Sequence, residues 1–225
     1  MRAGGGPGAV FADVDGTLIR GSSLIDLLRY DAGARGAVDA AEALVESVRR
    51  AAASGVPRTR TAPLLYSWWA GLPVAEVADV AEQWVRAGMR ADRAGFVHSA
   101  VVDEVAARRG AGDALVLVSA SFDAPLAALA RFFDATGVLC TPMVVVGGRY
   151  TGETGTPMLG ERKARAVRDY LARAPSRCST AYGDHISDLE MLAAVDEAVV
   201  VAEGAGGPLA AEAAARGWRV VPVER

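Results

Sequence analysis

The sequence predicts an α/β protein with a largely parallel sheet, interrupted after its first strand by a helical insertion. Three observations carry that prediction. Short apolar runs stop abruptly at polar residues or glycine, and helical patterns separate most of these runs. A stretch of about 85 residues also holds helical patterns with no convincing strand, far more than one crossover between parallel strands needs.

The first apolar run, Ala9-Val10-Phe11-Ala12, stops at Asp13-Val14-Asp15-Gly16-Thr17. A buried strand ending in acids and a glycine places charge at a sheet edge. The run from Ala114 to Val118 ends in Ser119-Ala120-Ser121, and the run from Cys178 to Tyr182 ends in Gly183-Asp184. Fourth and fifth candidate strands run from Ala198 to Ala202 and from Trp218 to Val223. Between them, residues 124–133, 161–173, 188–194 and 208–216 carry helical patterns. Ligands of such sheets sit outside the carboxyl ends of the strands. Asp13, Asp15, Ser119 and Asp184 are therefore expected to meet at one rim.

Residues 22–109 read as an inserted helical cap, leaving 1–21 and 110–225 as the α/β core. Within the insertion, helices are expected over 24–30, 37–53, 62–70, 74–90 and 94–109, with Pro63 and Pro73 close to helix starts. Residues 137–152 break the alternation differently. Val138-Leu139-Cys140 and Met143-Val144-Val145-Val146 flank turns, and Gly147-Gly148 leads to Tyr150, which suggests a β-hairpin hanging off the sheet.

Composition narrows the function. The chain has 225 residues, 52% hydrophobic and 23% charged, with a formal net charge of −3. That balance sustains a buried core and excludes wholesale disorder. It also argues against a dedicated nucleic-acid or anionic-membrane binder, which carries a basic surplus. No run reaches the roughly 18 apolar residues of a membrane span. The glycine-rich start, Met1 to Gly8, has no apolar segment of a secretory signal and reads as a flexible lead-in, so a cytoplasmic protein is expected. Cys140 and Cys178 are too few for a zinc site and suggest no disulfide framework. The oligomeric state has no sequence signature.

Asp13 and Asp15 stand two apart at a strand end and point to the same side. Two ionised carboxylates so close repel, and either a divalent cation or a retained proton relieves them. Oxygen ligands at this density suit Mg²⁺, which takes carboxylates plus substrate phosphate. Alone, the pair reads equally as an Asx-rich turn. Asp184 and Asp188 add two acids four apart at a helix start, as metal ligands or as turn and cap residues. Ser119 offers a hydroxyl and an N–H to an anion. Of the 24 basic residues, only Lys163 is a lysine, in the first turn of a predicted helix. In a chain that otherwise uses arginine, a compact ammonium points to a role as a point charge on a phosphoryl oxygen.

The order Asp13-x-Asp15-Gly16-Thr17, then Ser119, then Lys163, then Gly183-Asp184-x-x-x-Asp188 resembles the haloacid dehalogenase superfamily across nearly the whole chain. The insertion resembles that superfamily's helical C1 cap, and Val118-Ser119-Ala120-Ser121 resembles its phosphoserine-phosphatase-like branch. The resemblance implies a Rossmann-like core and a Mg²⁺-dependent phosphatase acting on a small phosphorylated metabolite. Asp13 would be the nucleophile that forms an aspartyl-phosphate. Asp15 would be the general acid and then the base. Asp13, the Asp15 backbone carbonyl and Asp184 would hold Mg²⁺, with Asp188 in support. Ser119 and Lys163 would neutralise phosphoryl oxygens, and Gly16 and Thr17 would shape the turn beneath them.

Branches of the superfamily differ. Dehalogenases lack the second acid, which Asp15 supplies here. Phosphonate hydrolases need a cap lysine, and this cap has none. P-type ATPases carry Thr at the position of Asp15. Phosphomonoester hydrolysis or a phosphoryl-transfer mutase survives, alongside a non-catalytic phosphate-binding protein on the same fold. Phosphoserine phosphatases carry a glutamate nine positions after the nucleophile, where this chain has Ser22, so phosphoserine is expected to be a poor substrate unless an acid such as Asp26 replaces it. His185 stands where Ser or Asn is usual, either beside the metal site or as an exposed neutral side chain. Arg20, Ser22 and Ser23 are substrate-binding candidates by proximity. Tyr66, Trp68 and Trp69 either wall a substrate pocket or pack the cap.

Overall fold

The computed structural model describes residues 7–204 and 206–223. The start of the glycine-rich lead-in, residues 1–6, lies outside them. Among the described residues, β1 (Ala9–Ala12), β2 (Ala114–Ser119), β3 (Gly137–Cys140), β6 (Ser179–Gly183), β7 (Glu197–Ala202) and β8 (Arg219–Pro222) form one sheet in the order β3-β2-β1-β6-β7-β8. Every pairing in it is parallel.

β1 is central, with Ala9 level with Ala114 on one side and Ser179 on the other. Helices cover both faces, so the strand reads as a continuous apolar run instead of an alternating one. Val10 and Ala12 join the core beneath the inserted helices. Ala9 and Phe11 join the opposite core, where Phe11 meets Tyr170 edge-on at 5.4 Å. The chain leaves β1 for β2 on one side and later enters β6 on the other. The carboxyl end of β1 is therefore a point where strand order reverses, which is where such sheets open a crevice.

Between β1 and β2 lie α1 (Ser23–Arg35), α2 (Val38–Ala53), α3 (Arg58–Tyr66), α4 (Val74–Ala91), α5 (Arg93–Phe96) and α6 (Ser99–Gly110). Gly36 ends α1 in the left-handed region, at φ 66°. α3 starts directly after Pro57, so Pro63 sits inside the helix and not near its start as expected; α3 then passes into a 3-10 turn at Ser67–Trp69. The helix expected over 94–109 is broken at Val97 and His98. Here the backbone pairs with the loop after β1: Arg20 N–H donates to Phe96 O and His98 N–H to Leu18 O, both at 3.0 Å. α6 then lies against the sheet, where Tyr182 Oη donates to Glu104 at 2.5 Å.

The expected 137–152 hairpin needs correction. Residues 137–140 form β3, the sheet's edge strand, with Val116 level with Gly137. The hairpin is β4 (Met143–Val146) against β5 (Arg149–Thr154), turning through Gly147 and Gly148 at φ 57° and 74°. Two successive positive φ values are the turn that matches strand twist, and two glycines supply them without strain. The hairpin also grips the insertion: Gly71 N–H donates to Tyr150 O at 2.7 Å, and Tyr150 N–H to Leu72 O at 3.0 Å. α7 (Asp123–Phe132) and α8 (Glu161–Arg173) flank the sheet, as does α10 (Pro208–Arg216). The helix expected over 188–194 is shorter, a 3-10 turn at Ile186–Asp188 leading into α9 (Leu189–Leu192).

Candidate active site

Asp13, Asp15, Ser119, Lys163, Asp184 and Asp188 all line one cavity of about 80 Å³ at the carboxyl ends of β1, β2 and β6. Asp13 follows β1 directly, and its N–H donates to Tyr182 O at 2.9 Å, extending the strand pairing one residue further. The chain then turns back: Gly16 N–H donates to Ile19 O at 2.8 Å, and Ile19 N–H to Val14 O at 3.0 Å. Gly16 has φ +82°, and a Cβ there would lie 2.3 Å from an Asp184 oxygen. This turn has room for glycine alone because the Asp184 carboxylate packs on its backbone.

Lys163 comes from the first turn of α8. Gly160 begins that helix and donates its N–H to Ser187 O at 3.1 Å, which ties α8 to the Ile186–Asp188 turn. The ammonium is 2% exposed and donates to Asp13 Oδ1 at 2.5 Å and to Asp188 Oδ1 at 2.6 Å. Burial pulls the lysine down, but the two carboxylates outweigh it and hold its pKa above the ordinary value. Asp188 Oδ2 accepts the His185 N–H at 3.2 Å.

Carboxylate oxygens of Asp13, Asp184 and Asp188 lie within 4.8 Å of one another. Burial raises the Asp13 pKa well above its ordinary value; Lys163 opposes this, while the charges of Asp188, Asp184 and Asp15 add to it. Burial and the Asp188 charge push Asp184 up to about 6. The Thr17 hydroxyl lies 3.3 Å from Asp13 Oδ2 and 3.2 Å from Asp184 Oδ1, and its single proton serves one at a time. One ammonium among two buried acids and a half-buried third leaves the cluster short of positive charge, and oxygen donors at this spacing suit a hard divalent cation.

The Asp15 side chain is held apart from that cluster. Its Oδ1 accepts the Ser23 N–H at 2.8 Å, and its Oδ2 accepts from Ser22 Oγ at 3.3 Å. Ser22 thus orients an acid where the phosphoserine phosphatases carry one. Ser119 is buried, and its Oγ accepts the Ser121 N–H at 3.0 Å, which leaves the hydroxyl proton for an anion in the cavity. The His185 ring lines the cavity but accepts the Ser187 N–H on Nδ1 at 3.2 Å, so it caps the turn leading into α9.

The remaining candidates fall elsewhere. Arg20 Nε donates to Ala94 O at 2.6 Å, in the seam between the insertion and the β1 loop. Trp68 Nε1 donates to Asp31 Oδ2 at 2.8 Å, and Trp69 is fully buried with its ring 4.7 Å from that of Phe122. Both tryptophans pack the interior, and neither lines a wall of the site. Asp26 lies against Gly21 and lines neither this cavity nor its neighbour; burial and the Asp15 charge raise its pKa. Tyr66 does line a second cavity, which shares Asp15 and Ala120 with the first, and its Oη donates to Ala120 O at 2.6 Å. Leu24, Ile25, Arg49 and Thr61 also line this second space and have no local signature in the sequence. Only the packing of α1, α2 and α3 brings them together.

Comparison with known proteins agrees with this geometry. A Mycobacterium tuberculosis H37Rv protein described as a probable phosphatase is 39% identical over 132 residues, 58% of this chain and 45% of that protein. The chain thus spans less than half the length of this curated relative. A Bordetella pertussis Tohama I protein of unknown function superposes with TM-score 0.80 at 26% identity, covering 96% of this chain and 98% of the other. A phosphoserine phosphatase solved as an analogue of its phospho-aspartyl intermediate shares the fold, with TM-score 0.66 at 14% identity over 97% and 94% of the two chains. Residues 10–193 match the haloacid dehalogenase-like hydrolases, and the chain belongs to that family.

Proposed function

We propose that the chain is a Mg²⁺-dependent phosphatase that hydrolyses small phosphorylated metabolites through an aspartyl-phosphate on Asp13. The observation that carries this reading is the buried contact of Lys163 with both Asp13 and Asp188, beside an Asp15 held separately at the same cavity. Nucleophile and acid thus sit in different environments, which is how two carboxylates take different roles.

The residues fit the metal. Asp13, Asp184 and Asp188 offer clustered oxygens, the Asp15 carbonyl would complete the set by family resemblance, and burial leaves the cluster in want of positive charge. When bound, Mg²⁺ offsets charge on the phosphoryl oxygens and on the nucleophile. Asp13 attacks phosphorus, forming an acyl-phosphate bond as the bond from phosphorus to the ester oxygen breaks. Asp15 gives its proton to the leaving alkoxide, then takes one from the water that attacks the intermediate; phosphate leaves and Asp13 is restored. Lys163 and the Ser119 hydroxyl hold phosphoryl oxygens, and Gly16 and Thr17 fix the turn below them. In the same reading residues 22–109 act as the cap that closes over the substrate, with 1–21 and 110–225 as the core.

Turnover of an aryl phosphate with Mg²⁺, together with acid-quench mass spectrometry of the Asp13 peptide, tests the reading. A phosphoryl adduct on Asp13, absent from Asp13→Asn, is the expected result. An adduct on another residue, or turnover undiminished in Asp13→Asn, overturns it.

A further inference from the structure

The second cavity lies beside the proposed acid, Asp15. It measures about 300 Å³ and adjoins the phosphoryl cavity through Asp15 and Ala120. An ester oxygen protonated by Asp15 therefore carries its organic group into this space. Its walls are Leu24 and Ile25 from α1, Val48 and Ala52 from α2, and Ala62 and Leu65 from α3. Among the described lining residues the only charge besides Asp15 is Arg49, exposed and without an ion pair to any described acid. At a water's share of about 30 Å³ per non-hydrogen atom, the space holds roughly ten such atoms.

We propose that this pocket takes the aliphatic chain of a phosphorylated alcohol and discriminates against a substrate ammonium; the inference rests on the phosphatase reading above. Apolar walls gain from methylenes removed from water, whereas an ammonium placed there loses hydration and meets Arg49 with no described carboxylate except Asp15 to pair with. Asp15 is already held by Ser23 and Ser22 for its proton transfer. The chemistry is that of a medium-chain alkyl or prenyl monophosphate and not of an amino-acid phosphate.

The test is kcat/KM for n-alkyl phosphates of two to eight carbons, with 6-aminohexyl phosphate and phosphoserine beside them. The expected gain is about fourfold per buried methylene, or roughly 10²-fold from ethyl to hexyl. 6-Aminohexyl phosphate should fall at least tenfold below hexyl. Ala62→Trp fills the pocket and should flatten the chain-length dependence, and Ala52→Trp at the exposed end of α2 should do the same should Ala62→Trp fail to fold. A flat series in the wild type, or phosphoserine equal to hexyl phosphate, overturns the proposal while leaving the phosphatase reading intact. Absence of turnover on every ester, aryl phosphate included, overturns both.

Discussion

Lys163 reaches Asp13 at 2.5 Å across 150 positions of sequence, with 2% of its surface exposed. A planar guanidinium cannot occupy that point without displacing a carboxylate or the phosphoryl group. A misplacement of about 1 Å in such a site costs roughly 10²-fold in rate. Lys163→Arg should therefore fold and lose about that much kcat/KM on an aryl phosphate. Lys163→Met removes the charge at similar volume and strands Asp13 and Asp188, which should cost about 3–5 kcal/mol in chemical denaturation without metal. Full activity in Lys163→Arg would place Lys163 outside the chemistry.

Metal and pH should act on stability in opposite ways. In metal-free protein the folded Asp184 has a pKa of about 6 against an ordinary 3.8, and Asp13 is shifted the same way. These two groups then bind more protons in the folded state than in the unfolded chain, so their contribution to stability falls as pH rises from about 4 to about 6. Asp184→Asn should remove the Asp184 share of that fall. On the proposed reading Mg²⁺ binds only the folded, ionised cluster, and it should raise the melting temperature in a concentration-dependent way above that range. Asp184→Asn should lose most of the metal-induced rise. Thermal melts at pH 4 to 8, with chelator or with Mg²⁺, read both effects.

The site was legible in the sequence because each polar group ends an apolar strand or begins a helix. Asp13, Ser119 and Asp184 are strand-end residues, and a parallel sheet sends strand ends to one rim whatever fills the loops between. Lys163 stood out as the single lysine. The second cavity was not legible, because Ile25, Arg49 and Leu65 become neighbours only when α1, α2 and α3 pack together. The same limit explains Trp68 and Trp69, whose sequence looks alike as a pocket wall or as core. β3 was misplaced because Val138-Leu139-Cys140 is as apolar as a hairpin strand, and only its pairing with β2 decides.

The turn at Gly16 should tolerate no side chain. Its φ of +82° strains any L-residue, and a Cβ would lie 2.3 Å from Asp184 Oδ2. Backbone strain of this kind costs about 1–3 kcal/mol. In Gly16→Ala the carboxylate must also move, so the melting-temperature rise with Mg²⁺ should shrink alongside activity. A Gly16→Ala protein with wild-type metal response would show that Asp184 is not held against this turn.

Tyr66 ties α3 to the loop after β2 through the 2.6 Å bond to Ala120 O, and it sits in an aromatic cluster with Phe122. Ala120 O also accepts from Thr141 Oγ1 at 2.7 Å, so losing the tyrosine hydroxyl leaves that carbonyl satisfied. The stability cost of Tyr66→Phe should therefore stay near the net worth of one hydrogen bond, about 0.5–1.5 kcal/mol. Its effect on catalysis should be larger in KM than in kcat, because Ala120 borders both cavities while Asp13 and Asp15 keep their own partners. Steady-state kinetics on an aryl phosphate separates the two. A fall in kcat with KM unchanged would instead put the Tyr66 hydroxyl in the proton-transfer step.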